Sequence, residues 1–327
     1  MRTADFDYHL PEELIAQHPP ERRGDSRMMV VHRDSGNIEH RHFSDFPEFT
    51  RPGDRLILND TRVNPARFFS NDGRIELLKV DALSPTRWQC LVKPGKRMRI
   101  GHTVEIADAT GTVIEILTEG GERIIEFDRV IDDEAHGHLA LPPYISRPDE
   151  VADKDRYQTV FARAAGAIAA PTAGLHFTQE MLAPLPHAFV TLHVGIGTFR
   201  PVSVDDVTQH HMHRERFSLS SETAKSINEA DRVIAIGTTV VRVLEHCAQL
   251  DGGLPLSARQ GETEIFIYPP YQFQAVGALL TNFHLPKSTL LMLVSALAGK
   301  ELIMEAYAKA VEERYRFFSY GDCMLIV

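Results

Sequence analysis

The sequence predicts a chain of two parts, an α/β domain and a small antiparallel barrel or sandwich. Three observations carry this. The 327 residues are long for one domain and sufficient for two. The first third reads as short alternating stretches bounded by Gly, Asp or Pro. After residue 135 the pattern changes to strands interleaved with helical periodicity.

The elements follow in order. Leu10-Pro11-Glu12-Glu13 opens a short helix through Gln17, with Pro11 suited to a helix start. Residues 28–32 read as a strand, Pro52-Gly53-Asp54 as a turn and 55–58 as a strand. Stretches 74–80, 87–92, 103–107, 111–117 and 122–127 then alternate at a spacing typical of a small barrel or sandwich. Leu141-Pro142-Pro143-Tyr144 is a rigid extended segment. Beyond it, 189–194, 232–236, 264–267 and 278–281 read as strands, and 220–230, 238–250, 286–297 and 301–315 as helices. Insertion of the β-rich part into the α/β part and simple tandem order both fit this pattern.

Composition narrows the function classes. The formal charge of −10 disfavours a general polyanion binder, although a whole-chain sum hides local patches. Cys90, Cys247 and Cys323 are far apart, odd in number and form no CxxC pair. That argues against a disulfide scaffold, an iron–sulfur site or a zinc ribbon, and for a reducing, cytoplasmic compartment. The N-terminus carries acids and prolines where a secretory signal has an apolar run. The apolar run 288–299 is short of the ~20 residues a membrane helix needs, so no membrane association is expected.

Six segments hold residue types that do chemistry. Asn59-Asp60-Thr61-Arg62 follows a strand, where polar groups are placed for an interdomain pocket or for a plain Asp60 turn. The small-residue run 164–178, with Thr172, Gly174 and His176, lets backbone approach a ligand or pack tightly. It is neither G-x-G-x-x-G nor a P-loop. In 192–199, Gly195 and Gly197 leave amides for a carboxylate or ribose hydroxyls, with His193 opposite Leu192 and Val194. His210-His211-Met212-His213-Arg214-Glu215 invites a metal reading, but its spacing is wrong for H-E-x-x-H. An acid–base or hydrogen-bonding role suits these histidines better. Gly237-Thr238-Thr239, between a strand and a helix that carries Arg242, reads as an anion or hydroxyl site, or as a helix cap. The last group is Thr281-Asn282-Phe283-His284 with Phe317-Phe318-Ser319-Tyr320-Gly321-Asp322. Its aromatics stack on a base or fill the core, and Asp322 pairs an arginine or caps a turn.

One basic stretch stands out against the acidic total. Arg87, Lys93, Lys96, Arg97 and Arg99 lie in 87–102 with no acid among them. They are placed to grip phosphates, or to pair with Asp132-Asp133-Glu134.

Together these segments resemble one family, the S-adenosylmethionine:tRNA ribosyltransferase-isomerases of queuosine biosynthesis. The matching stretches include LPEELIAQHP (10–19), LILNDTRVNPAR (56–67), LVKPGKRMRIG (91–101), LPPYISR (141–147), AAPTAGLHFT (169–178), VTLHVGIGTFRPV (190–202), HHMHRE (210–215), TNFHLPKSTLLMLVSA (281–296) and YRFFSYGDCMLI (315–326). They run in order along the whole chain. The resemblance implies an α/β main domain of residues 1–60 plus 150–327, interrupted by an antiparallel β-barrel at 61–149. It implies transfer and isomerisation of the ribosyl part of S-adenosylmethionine onto the 7-aminomethyl-7-deazaguanine wobble base of tRNA. The product is epoxyqueuosine-tRNA, with adenine and methionine released. S-adenosylmethionine is consumed as a co-substrate, no other cofactor or metal is expected, and the protein is expected to act as a monomer.

On this footing His176, His193, His213, Glu215 and Asp60 are the catalytic candidates. Arg62, Thr172, Gly174, Gly195, Gly197, Thr238, Thr239, Arg242, Asn282, His284 and Asp322 are candidates for substrate binding, and Lys93, Lys96, Arg97 and Arg99 for tRNA. The chain departs from the family pattern in three places. Segment 178–190 is shorter, Pro270 stands for a glycine and Gly277 for a usual aspartate.

Overall fold

The computed structural model describes residues 1–117, 121–195, 197 and 202–327. The chain opens with β1 (Arg27–His32), β2 (Asn37–His42) and β3 (Asp54–Asn59), then a short β4 (Thr61–Val63). The next six strands are β5 (Arg67–Phe69), β6 (Glu76–Ser84), β7 (Arg87–Lys93), β8 (Thr103–Ile106), β9 (Ala109–Ile116) and β10 (Arg123–Phe127). After β11 (Ala164–Ala167) come β12 (His187–Leu192), β13 (Glu215–Leu219), β14 (Arg232–Ile236), β15 (Arg259–Thr263), β16 (Ala278–Asn282) and β17 (Cys323–Ile326). Helices α1 (Asp133–His136), α2 (Asp153–Arg156) and α3 (Gln179–Leu182) are single turns. Helices α4 (Ser221–Asn228), α5 (Thr238–Asp251), α6 (Thr289–Ala298) and α7 (Lys300–Glu312) are longer.

The main sheet has nine strands in the order β15-β13-β12-β3-β14-β16-β17-β1-β2. Its centre, β12-β3-β14-β16, is parallel. That pattern suits strands such as Leu56-Ile57-Leu58, buried on both faces. Helix α5 covers one face and buries Val240, Val243, Leu244 and Cys247 completely. Each such aliphatic side chain contributes roughly 1.5–3 kcal/mol. On the other face Phe43, Phe46 and Phe177 pack edge to face, with ring centroids 4.9 and 5.5 Å from Phe177.

Strands β5 to β10 form a separate sheet in the order β5-β6-β7-β10-β9-β8, antiparallel throughout. Its two ends nearly meet. The Asn71 amide donates to Glu105 O and its side-chain amide to Ala107 O, both at 2.9 Å. The interior holds Trp88 between Phe68 and Phe127, at 4.8 and 4.6 Å. A Cβ on Gly111 would lie 2.5 Å from the Phe127 ring, so glycine is what lets that ring fold inward. All five alternating stretches of this region form strands. The barrel's strands fall in the chain between β3 and β12, which are neighbours in the main sheet. The parallel pair β4·β11 ties the entry and exit chains together.

Several local expectations change. The helix expected at 10–17 is one 3-10 turn, Glu12–Leu14. Ile15 is instead extended and bridges Phe317, with the Phe317 amide donating to Leu14 O. Tertiary pairing has overridden helix propensity. The strand expected at 264–267 lies earlier, at β15, because its partner β13 begins at Glu215, opposite Thr263. The 286–297 helix begins at Thr289, where Ser288 caps it. Between Phe177 and β12 the chain needs only the single turn α3, so the short segment closes without a gap.

Candidate active site

The site grows from the turn between β14 and α5. Gly237 has φ +95°, a conformation that leaves glycine unstrained, and its amide bonds to Leu280 O at 2.8 Å. The chain then turns straight into α5, with no side chain capping its start. Thr238, Thr239 and Arg242 of the first turns line a cavity whose walls include Thr172, Asn282, His284 and Phe318. This is an apolar pocket with a few convergent polar groups, the usual form of a small-molecule site.

A second cavity opens between the barrel and the main sheet. Asp81 and Gln89 line it from the barrel, and His193, Gly195, His213 and Glu215 from the main domain. Asp81 and Arg216 pair across it at 3.3 Å. A further small cavity of ≈ 20 Å³, room for about one water, is lined by His213, Glu215, Arg242 and Thr289. Arg242 also faces the first cavity and Glu215 the second. Their buried ion pair, Arg242 Nη1 to Glu215 Oε2, is therefore the partition between the two. Glu215 Oε1 accepts the Gly195 amide at 3.0 Å.

The expected residues divide by place. His193 faces the second cavity, and its Nδ1 pairs with Thr61 Oγ1 at 2.9 Å. Burial and then the Arg216 charge lower its pKa against the opposing pull of Asp60. Gly166 packs on its ring, where a Cβ would lie 2.8 Å from Nδ1. Gly195 does not offer a free amide, since Glu215 holds it. Gly197 packs on His213. Residues 196 and 198–201 of the glycine motif lie outside the described residues.

His176 lies behind the first cavity rather than on it. Its Nε2 accepts from Asn282 Nδ2 at 3.1 Å and its Nδ1 donates to Ser26 Oγ at 3.0 Å. Burial, then Arg23, pushes its pKa down to about 4. The same Asn282 amide donates to Phe318 O, which fixes its orientation and leaves Asn282 Oδ1, a buried acceptor, without a partner among the described residues. His284 pairs with Thr281 Oγ1 at 2.9 Å, and burial lowers its pKa to about 3. Both imidazoles are neutral at physiological pH.

Four other candidates, Asp60, Asp322, Gly174 and Arg62, line neither cavity. Asp60 accepts from Thr191 Oγ1 at 2.6 Å and Arg163 Nε at 2.7 Å. Asp322 accepts the Arg27 and Arg316 amides at 2.9 and 2.8 Å, and burial raises its pKa against these bonds. Gly174 packs under Phe161, 2.8 Å from a notional Cβ. Arg62 is exposed and pairs with Glu134 at 3.7 Å. Among the described residues no three His, Cys, Asp or Glu side chains converge as a metal site.

Lys93, Lys96, Arg97 and Arg99 are exposed at the end of β7 and the turn after it. The acidic run that was the alternative partner for them is engaged elsewhere, with Asp133 on Lys79 and Glu134 on Arg62. Sequence reading did not single out Asp81, Gln89 and Arg216. Asp81 and Gln89 are register partners in the β6–β7 hairpin, whereas Arg216 lies far along the chain and meets them only through the barrel's placement.

Residues 3–326 match the family described as queuosine biosynthesis protein. Two relatives called S-adenosylmethionine:tRNA ribosyltransferase-isomerase, from Symbiobacterium thermophilum and Desulforamulus reducens, are 53% and 49% identical, over 100% of each chain. The crystal structure of an S-adenosylmethionine tRNA ribosyltransferase from Thermotoga maritima is 40% identical. It covers 99% of this chain and 100% of its own, with a TM-score of 0.58.

Proposed function

The chain belongs to the queuosine biosynthesis protein family, and on that premise we propose how its two cavities divide one reaction. The enzyme transfers the ribosyl moiety of S-adenosylmethionine to tRNA and isomerises it, releasing adenine and methionine. S-adenosylmethionine occupies the first cavity. The 7-aminomethyl-7-deazaguanine base at the wobble position enters the second, from the barrel side. The single observation that carries this division is the Arg242–Glu215 partition between an apolar cavity and a polar one.

The chemistry begins with removal of the C5′ proton beside the sulfonium. Glu215 and His213 line the small cavity beside the Arg242–Glu215 pair, which supports them as the groups that take it. Loss of adenine opens the sugar, and the amine of the base attacks the transferred carbons. An amine attacks only after losing a proton, and His193 faces its entry route as a neutral imidazole. An oxygen of the former ribose then displaces methionine to close the epoxide. Holding the reactive intermediate between two substrates is the work of position and exclusion of water. His176 acts through Asn282 and positions rather than reacts.

The tRNA backbone lies along Lys93, Lys96, Arg97 and Arg99, and the protein works as a cytoplasmic monomer. All three cysteines are buried and unpaired, and among the described residues no helix is long and apolar enough to cross a membrane. Incubation with S-adenosylmethionine and tRNA carrying the aminomethyl base tests the reaction. Adenine and methionine should appear in equal amounts, with a mass gain on the tRNA. Intact protein that releases neither would overturn it.

A further inference from the structure

We infer that the N-terminus of α5 and the free edge of Arg242 form a carboxylate site for the amino-acid end of S-adenosylmethionine. This rests on the placement of that substrate in the first cavity. Two independent observations carry it. Helix α5 is fourteen residues long and starts after Gly237 with no side-chain cap among the described residues; the Val240 amide takes Gly237 O at 3.2 Å, which leaves the Thr238 and Thr239 amides, on residues that line the cavity, with no intrahelical acceptor. Such an end carries a partial positive charge and favours an anion. The second observation is Arg242 itself. It is 2% exposed, lines the cavity and uses only Nη1 on Glu215. Its Nε and Nη2 are buried without a partner among the described residues.

Those two atoms form one edge of the guanidinium fork. The edge presents two parallel N–H bonds, the geometry that holds a carboxylate bidentately. Arg242 sits just past the first turn of α5, and helical side chains lean toward the N-terminus, so the fork and the free amides converge. A buried donor without a partner is costly, and two on one group mark an absent acceptor. Glu215 balances the charge on Nη1 but leaves this edge without a partner among the described residues. A tRNA phosphate is the other common anion. This site is buried and none of Lys93, Lys96, Arg97 and Arg99 lines its cavity, so the small substrate's carboxylate is the ligand it fits.

The test compares S-adenosylmethionine with its decarboxylated analogue, by calorimetry on the whole protein. A charge-assisted bidentate contact predicts that the wild type binds the parent about 10- to 100-fold more tightly. In Arg242→Gln that ratio should fall several-fold, to what the α5 amides alone supply. Wild-type protein that binds both ligands equally would overturn the carboxylate site and leave the assignment of S-adenosylmethionine standing. Failure to bind either would overturn both. The wild-type ratio decides the matter even if Arg242→Gln does not fold.

Discussion

Neutralising Lys93, Lys96 and Arg97 together should weaken tRNA binding through a defined change in salt dependence. The three side chains are exposed, and none has an ion pair among the described residues, so replacing them with alanine breaks no internal contact. Each phosphate contact contributes a slope of about −0.9 in log K against log salt, so three lost contacts should flatten the slope by about 2.7. Between 50 and 200 mM salt each contact accounts for a factor of about 3.5, so the variant should lose about 40-fold less affinity across that range than the wild type. Fluorescence anisotropy with labelled tRNA over a potassium chloride series reads this directly. Calorimetry with S-adenosylmethionine supplies the control, and its affinity should not move. An unchanged slope would refute the basic surface. Equal loss of both ligands would also refute it, because it would point to a general structural effect.

Two further outcomes follow from single contacts. Gly166→Ala places a Cβ 2.8 Å from His193 Nδ1, at a backbone φ of +143°. About 1–3 kcal/mol of strain should slow single-turnover transfer roughly 10- to 100-fold while S-adenosylmethionine binding holds; normal turnover would show that His193 is not where the chemistry needs it. Asp54 is buried, and burial raises its pKa, but the bidentate Arg232 contact at 2.9 and 2.6 Å and the Arg51 amide outweigh this and hold it low. A depressed carboxylate stabilises the fold above its unfolded pKa of ~3.9, and that stabilisation disappears as pH falls through the folded value. Asp54→Ala should therefore cost about 3 kcal/mol in urea unfolding near neutrality, with the deficit shrinking once pH drops below ~3.9. A deficit independent of pH would contradict the pairing.

Much of the fold was legible because its cause was local. The barrel strands alternate clearly and end at Gly, Asp or Pro, so each can be read from its own residues. Strand β2 escaped because it is an edge strand with little burial on either face and no apolar alternation. Strand β15 escaped because Gly261 sits at its centre, opposite Phe217, where sequence reads a break. The site was legible in the same uneven way. A glycine between a strand and Thr238-Thr239 announces a helix N-terminus without any tertiary knowledge. The Arg242–Glu215 partition does not, since its partners are 27 residues apart and meet only through the packing of α5 across β13. Asp60 and Asp322 carried the same polar signal as the cavity residues. Their oxygens turn out to be taken by neighbouring donors, and a one-dimensional pattern cannot count hydrogen bonds.

The place of β17 in the main sheet has a consequence for the order in which the molecule is assembled. It lies between β16 and β1, and the Arg27 amide bonds to an aspartate 295 residues further along. The two earliest strands thus have no neighbour on that side until nearly everything after them has left the ribosome. The barrel needs only one continuous stretch of chain, Arg67–Phe127, and meets no such delay. During synthesis the barrel can be finished while β1 and β2 still wait, and the main sheet closes only when its most distant segments join.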